Sequence, residues 1–235
     1  MIKAYKLKYI IIILTAIALI ISSAIFSNEE YLVSKASPSM GITIVLDAGH
    51  GGIDPGSIGR KTKTTESELN LKITLKLADY LKAGGFNVIL TRNGADGLYG
   101  VYSKDYKKRD MLARKEKILK SKADLVVSIH MNSFTNSAYR GAQVFYNSNN
   151  PESENLASSV QQIFASSLPE SDKGISVGDY YILKCTNIPT ILCECGYLSN
   201  ESDEALLIDD EYQTKLAYSI YKGVVIYLNV GNHSV

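Results

Sequence analysis

The sequence predicts an α/β domain with a mostly parallel or mixed central sheet covered by helices on both faces. Three observations lead there. Four short apolar runs rich in β-branched residues, at 42–46, 86–91, 124–129 and 189–195, have the length of buried strands. Segments with a four-residue helical period alternate with them, as a sheet covered on both faces requires. Of the 235 residues 46% are apolar and 21% charged, which is material for one sizeable core.

Taken in order, the chain opens on Tyr9 to Phe26, 18 residues without a charge, preceded by Lys3, Lys6 and Lys8. Residues 1–26 are therefore a signal peptide or a membrane anchor. The apolar run just reaches spanning length, while Ser22 and Ala24 form a small-x-small cleavage pattern. Under either alternative the lysine-rich end stays cytoplasmic and the remainder is exported to the outer face of the membrane. Residues 27–40 are polar, lack a period and end in Ser-Pro-Ser-Met, which marks a linker. The folded unit spans 41–230, with a short tail at 231–235.

Within that unit the first strand, 42–46, runs into a glycine-rich turn. Leu69, Ile73, Leu77 and Leu81 then define a helix stopped by Gly84-Gly85. Its start, Thr65-Glu66-Ser67-Glu68, fits a capping box in which Glu68 turns back to the Thr65 backbone. After the strand at 86–91, residues 93–107 hold three glycines and three tyrosines and predict a long surface loop. A helix carrying Arg114 precedes the strand at 124–129; Leu156, Val160, Ile163 and Phe164 mark another; Tyr212, Leu216, Ile220 and Val224 mark the last.

Removing the three N-terminal lysines leaves 22 basic against 24 acidic residues, with no long basic run, so nucleic acid is excluded as an expected partner. Cys185, Cys193 and Cys195 are odd in number and too few for a disulfide framework. Their spacing is also a weak match to structural zinc sites, and core packing is the expectation for all three.

The chemistry-bearing residues gather at the strand ends. His50 and His130 each follow a predicted strand, at the edge of an α/β sheet where ligands collect. A catalytic zinc takes three protein ligands from neutral imidazoles and carboxylates and keeps a fourth position open. Two histidines leave one position, and Glu66 on the first helical turn is the best candidate for it. The plainer alternative for Glu66 is an acidic residue complementing the helix dipole. Gly51, Gly52 and Gly56 let the chain turn tightly past His50. Asp47 is placed as an acceptor for an imidazole N–H, and Asn132 is a second candidate for supporting the ligands. Glu194 lies inside an apolar strand, facing away from Cys193 and Cys195, and is the candidate general base. Arg114 has two readings, a contact to a substrate carboxylate or a solvated helix face.

"IVLDAGHGGIDPGSIG", "ESELNL", "SIHMNS" after "ADLVV", "RGAQVFY" and "YYILKCTNIPTILCECGYLSNESDEALL" together resemble the zinc-dependent N-acetylmuramoyl-L-alanine amidases of the Amidase_3 family, most of all its sporulation-associated CwlD group. The likeness runs from about Gly41 to Leu228. It implies Zn2+ held by His50, Glu66 and His130, with Glu194 as the catalytic carboxylate. The implied reaction is hydrolysis of the amide between N-acetylmuramic acid and L-alanine in peptidoglycan. For the CwlD group it further implies removal of stem peptides from spore cortex on the way to muramic δ-lactam, alongside a separate deacetylase. Departures are small: Ser67, Cys195 and Tyr197 stand where the family more often has lysine, a small aliphatic residue and phenylalanine. The rival expectations are a zinc peptidase acting within the stem peptide and a non-catalytic wall-binding module. No sequence feature specifies a protein partner that would activate or localise the domain.

Overall fold

The computed structural model describes residues 41–231. The N-terminal apolar segment, the linker at 27–40 and the last four residues, including His233, lie outside the described residues. Among the described residues no helix is long and apolar enough to cross a membrane.

Six strands form one mixed sheet: β1 (Thr43–Ala48), β2 (Asn87–Leu90), β3 (Leu125–Asn132), β4 (Gln143–Tyr146), β5 (Ser176–Val177) and β6 (Thr190–Tyr197). Their order is β2-β1-β3-β6-β4-β5, parallel throughout except where β4 runs against β6. The helices are α1 (Glu66–Ala83), α2 (Tyr106–Ser121), α3 (Pro151–Ser167), α4 (Tyr181–Lys184), α5 (Glu201–Leu207) and α6 (Asp210–Gly231). Three of the helix starts have a local cause in a side-chain cap. The Thr65 hydroxyl accepts from the Glu68 N–H at the start of α1, Asn150 caps α3 ahead of Pro151, and Asn200 caps α5. The second half of the expected capping box is replaced: Glu68 pairs with Lys72 one turn on.

Alternation along the strands divides the core into two layers. Val45, Val126 and Leu192 point to one face and pack against Ile118 of α2 and Ile182 and Leu183 of α4. On the other face α1 and α3 pack on the sheet and α6 packs on both of them, burying Leu69, Ile73, Leu77, Leu156, Val160, Phe164, Leu216, Ile220 and Val224 completely. Strands β4 and β5 and helices α4 and α5 were outside the sequence expectation. They span two to seven residues each, too few positions to display a period.

The topology also fixes where a site belongs. The chain leaves β1 for β2 on one side and returns through α2 to β3 on the other, so the strand order reverses between β1 and β3. A crevice opens at the C-terminal ends of strands at such a point. Phe164, fully buried on α3, tests the larger core layer. Phe164→Ala is expected to lower the unfolding free energy by about 3–5 kcal/mol, read as a shifted denaturant midpoint with an unchanged slope.

Candidate active site

His50 sits in the turn that follows β1, with its backbone in the left-handed region at φ 60°. The turn is closed by paired bonds between Gly51 and Asp54, and it is tied to α1 by the Glu66 N–H to Ser57 carbonyl and the Ser67 N–H to Pro55 carbonyl bonds. Glu66, 3% exposed on the first turn of α1, therefore lies against the His50 turn. His130 comes from β3, in register with Glu194 on the neighbouring parallel strand β6. Three elements far apart in sequence thus deliver their side chains to one end of the crevice.

The contacts there are close. Glu66 Oε1 lies 3.1 Å from His50 Nε2 and 2.9 Å from His130 Nδ1, and it also accepts the Met131 N–H at 3.2 Å. Its other oxygen accepts the Ser57 N–H at 2.8 Å. One ligand atom from each of His50, Glu66 and His130 can be chosen so that all lie within 4.8 Å of one another, a group able to hold a metal ion. Three donors around a tetrahedral ion at ~2.1 Å stand roughly 3.4 Å apart, and the two contacts to Glu66 Oε1, at 3.1 and 2.9 Å, are close to that spacing.

Electrostatics favour the same occupant. Burial opposes ionisation of Glu66, yet hydrogen bonds from both imidazoles hold its carboxyl well below the usual range. Burial likewise opposes the charge on His50, but Glu66 and Asp54 raise its pKa. The pocket is thus set to draw positive charge.

Two glycines are needed here for space. A Cβ on Gly49 would stand 2.2 Å from the His130 ring, and one on Gly56 would stand 2.5 Å from Glu66 Oε2. Gly51 and Gly52 also serve the turn, at φ 133° and 61°, and a Cβ on Gly52 would stand 2.1 Å from the Tyr99 hydroxyl. The expected loop at 93–107 folds back over this turn. Gly52 N–H donates to the Ala95 carbonyl, and Ile53 N–H to the Tyr99 hydroxyl.

Glu194 is 5% exposed, and its Oε2 has no hydrogen-bond partner. It shares the face of Leu192, while Cys193 and Cys195 are buried on the other face. Burial pushes its carboxyl up to about 7; the His130 and His50 imidazoles and a hydrogen bond with Tyr180 act against that rise, and the Glu66 charge adds to it. A cleft of about 230 Å³ opens on both imidazoles, lined on its other walls by Tyr99, Lys107, Met111 and Tyr180.

The family model for N-acetylmuramoyl-L-alanine amidases, Amidase_3, matches residues 44–225. The chain belongs to this family. The amidase is 34% identical over 227 residues to a germination-specific N-acetylmuramoyl-L-alanine amidase of Bacillus subtilis (strain 168), an overlap of 94% of this chain and 95% of the relative. Its fold superposes with a TM-score of 0.77 and 41% identity on the CwlD amidase from Clostridioides difficile, solved in complex with the GerS lipoprotein, covering 81% of this chain and all of that one. A second solved structure, an N-acetylmuramoyl-L-alanine amidase from Clostridium difficile 630, gives 0.72 at 32% identity over 80% and 97% of the two chains. Its activity is therefore amide hydrolysis on peptidoglycan, and its substrate lies outside the cytoplasm.

Three sequence expectations about the surroundings of the site change. Asp47 takes no imidazole proton: it accepts from Thr91, Ser128 and Arg114, and the carboxylate at His50 Nδ1 is Asp54, at 2.9 Å. Asn132 turns its amide oxygen to the adjacent Ser133 N–H. Arg114 is neither solvated nor free for substrate. At 1% exposure it bonds Asp47, Asp110 and the carbonyls of Ala48 and His50. The reason for the first and third is the same: α2 buries a guanidinium beneath the strand end, and Asp47 is the counter-charge that burial demands. Asp54, four residues after His50 inside the glycine turn, carried a sequence signal only in that spacing.

The Asp47–Arg114 pair makes stability depend on acid. Burial would raise the Asp47 pKa, but Arg114, Ser128 and Thr91 hold it down to about 2, below the ordinary 3.8. Such a group stabilises the fold fully above the unfolded value and loses that contribution as pH falls from about 4 toward 2, an effect of about 2 kcal/mol. Asp47→Asn should remove this part of the acid dependence and destabilise by about 1–3 kcal/mol at neutral pH, because it leaves Asp110 as the one carboxylate on the buried Arg114 guanidinium. Denaturant unfolding between pH 2.5 and 7 measures both.

Proposed function

We propose that this amidase is a zinc enzyme that removes stem peptides from spore cortex peptidoglycan. The observation that carries the zinc assignment is the meeting of His50, Glu66 and His130 around one point, with Glu194 in register beside His130. These three residues would hold the ion, with one negative charge from Glu66 against its two positive ones. Bound there, zinc would supply Lewis-acid activation of water and of the scissile carbonyl and would stabilise the developing oxyanion.

The chain's own groups handle the proton. Glu194 takes it from the attacking water as the oxygen bonds to the lactyl carbonyl carbon. The same carboxyl then gives it to the L-alanine nitrogen as the C–N bond breaks, leaving a lactyl carboxylate and a stem peptide with a free amine. A buried carboxyl with one oxygen unpartnered suits a group that must both accept and return a proton. Tyr180 steadies it, and Asp54 fixes the orientation of the His50 ring through Nδ1.

Likeness to a germination-specific relative and to a CwlD structure supports the cortex as substrate and muramic δ-lactam as the eventual product, with a separate deacetylase acting next. That the CwlD relative was solved with a lipoprotein supports a protein partner for this chain as well. The lysine-flanked apolar segment at 1–26, as signal peptide or as uncleaved anchor, would deliver the domain across the cytoplasmic membrane, in a sporulating cell to the space between the forespore membranes.

Glu194→Gln should lower peptidoglycan hydrolysis by roughly 10²–10⁴-fold while zinc content stays at the wild-type level. Mass spectrometry of the digest should show free lactyl ends on muramic acid; new ends within the stem peptide would replace the amidase with a peptidase. Removing the metal with a chelator should abolish activity, and added zinc should restore it. Spores lacking the chain should lack muramic δ-lactam, and normal δ-lactam content would remove the cortex assignment.

A further inference from the structure

Arg92 follows the end of β2 and lies beneath the site, 4% exposed. A buried guanidinium is ordinarily matched by a carboxylate in contact with it. Here the hydrogen bonds go to main-chain carbonyls instead. Nε donates to Ala48 at 2.9 Å and Nη1 to Gly94 at 2.9 Å, and Nη2 donates both to Gly49 at 2.9 Å and to Ser67 at 2.8 Å. Asp47 and Asp110 act on it only through space, and burial together with the neighbouring Arg114 charge brings its pKa down to about 10, still protonated at neutral pH.

The identity of those carbonyls gives the arrangement its meaning. Gly49 immediately precedes His50, and Ser67 immediately follows Glu66. A single nitrogen therefore joins the two main-chain segments that carry two of the three converging side chains. Arg114 completes the grip, donating to the carbonyls of Ala48 and of His50 itself. Three consecutive carbonyls, 48 to 50, are thereby held by two guanidinium groups, and His50 is kept in a left-handed conformation that a residue with a Cβ rarely adopts.

We infer that Arg92, assisted by Arg114, is a positioning residue that fixes the His50–Glu66 separation and thereby sets how tightly the site holds its metal. The inference rests on the zinc assignment above. It requires the planar fork of arginine, which sends N–H groups in three directions at once; a lysine would supply a point charge on a flexible stem.

The test uses the full chain in detergent, as wild type, Arg92→Lys, Arg92→Gln and Val160→Ala. Val160 is fully buried on α3 where it packs against Gly223 of α6, touches none of the site residues, and serves as a stability control. Zinc affinity is measured by competition with a chromophoric chelator, coordination geometry by the visible spectrum of the cobalt-substituted protein, and stability by thermal melting. Arg92→Lys is expected to weaken zinc binding 10–100-fold and to alter the cobalt spectrum, whereas Val160→Ala loses melting temperature and keeps wild-type affinity. Arg92→Gln gives the same reading should the lysine variant fail to fold. Wild-type affinity and an unchanged spectrum in the folded Arg92 variants would overturn this inference alone, as would a loss of affinity in Val160→Ala that tracks its melting temperature. A wild-type chain that holds no zinc would overturn the zinc assignment and this inference together.

Discussion

One carboxylate oxygen organises the molecule. Glu66 Oε1 meets an imidazole from the turn after β1, an imidazole from β3 and the N–H of Met131. For one atom to reach all three, β1 and β3 must be neighbours, α1 must begin over their C-terminal ends, and the connecting turn must pass without side chains in the way. The reversal of strand order meets the first condition, and the Ser57 and Pro55 carbonyls that accept from the start of α1 meet the second. Glycines at 49 and 56 meet the third.

Beneath that atom lies a layer of buried charge that the fold supports by pairing. Asp47 and Asp110 receive Arg114, while Thr91 and Ser128 complete the bonds of Asp47. Buried ion pairs contribute little net stability when compared with apolar packing, since desolvation offsets their attraction. Their retention under a reactive centre makes sense as geometry: guanidinium groups aimed at main-chain carbonyls hold a turn that has no core of its own.

The sheet and its main helices were legible because they obey simple periods. Strands at 42–46, 86–91, 124–129 and 189–195 appear within a few residues of their expected bounds, and the four-residue stripe of Leu69, Ile73, Leu77 and Leu81 is the buried face of α1. The convergence of His50, Glu66 and His130 followed from strand ends and a helix start, which topology brings together in any sheet of this kind. What stayed hidden was polar and long-range. The inward stripe of α2 is Asp110, Arg114 and Ile118, two charges and one apolar residue, so hydrophobic periodicity could not mark Arg114 as buried. Asp47 looked like an imidazole acceptor because it is near His50 in sequence; its partners lie 44, 67 and 81 positions away.

The alternation of β6 has an effect on thiol chemistry. With Glu194 turned to the crevice, Cys193 and Cys195 are fully enclosed on the opposite face, where burial drives both pKa values far above the ordinary thiol value. Nucleophilic attack and oxidation proceed through the thiolate, which neither residue can supply. An enzyme working outside the reducing cytoplasm thus carries two sulfhydryls next to Glu194 without exposing them to adventitious crosslinking. Half-buried Cys185 is left as the position that an alkylating probe would reach first.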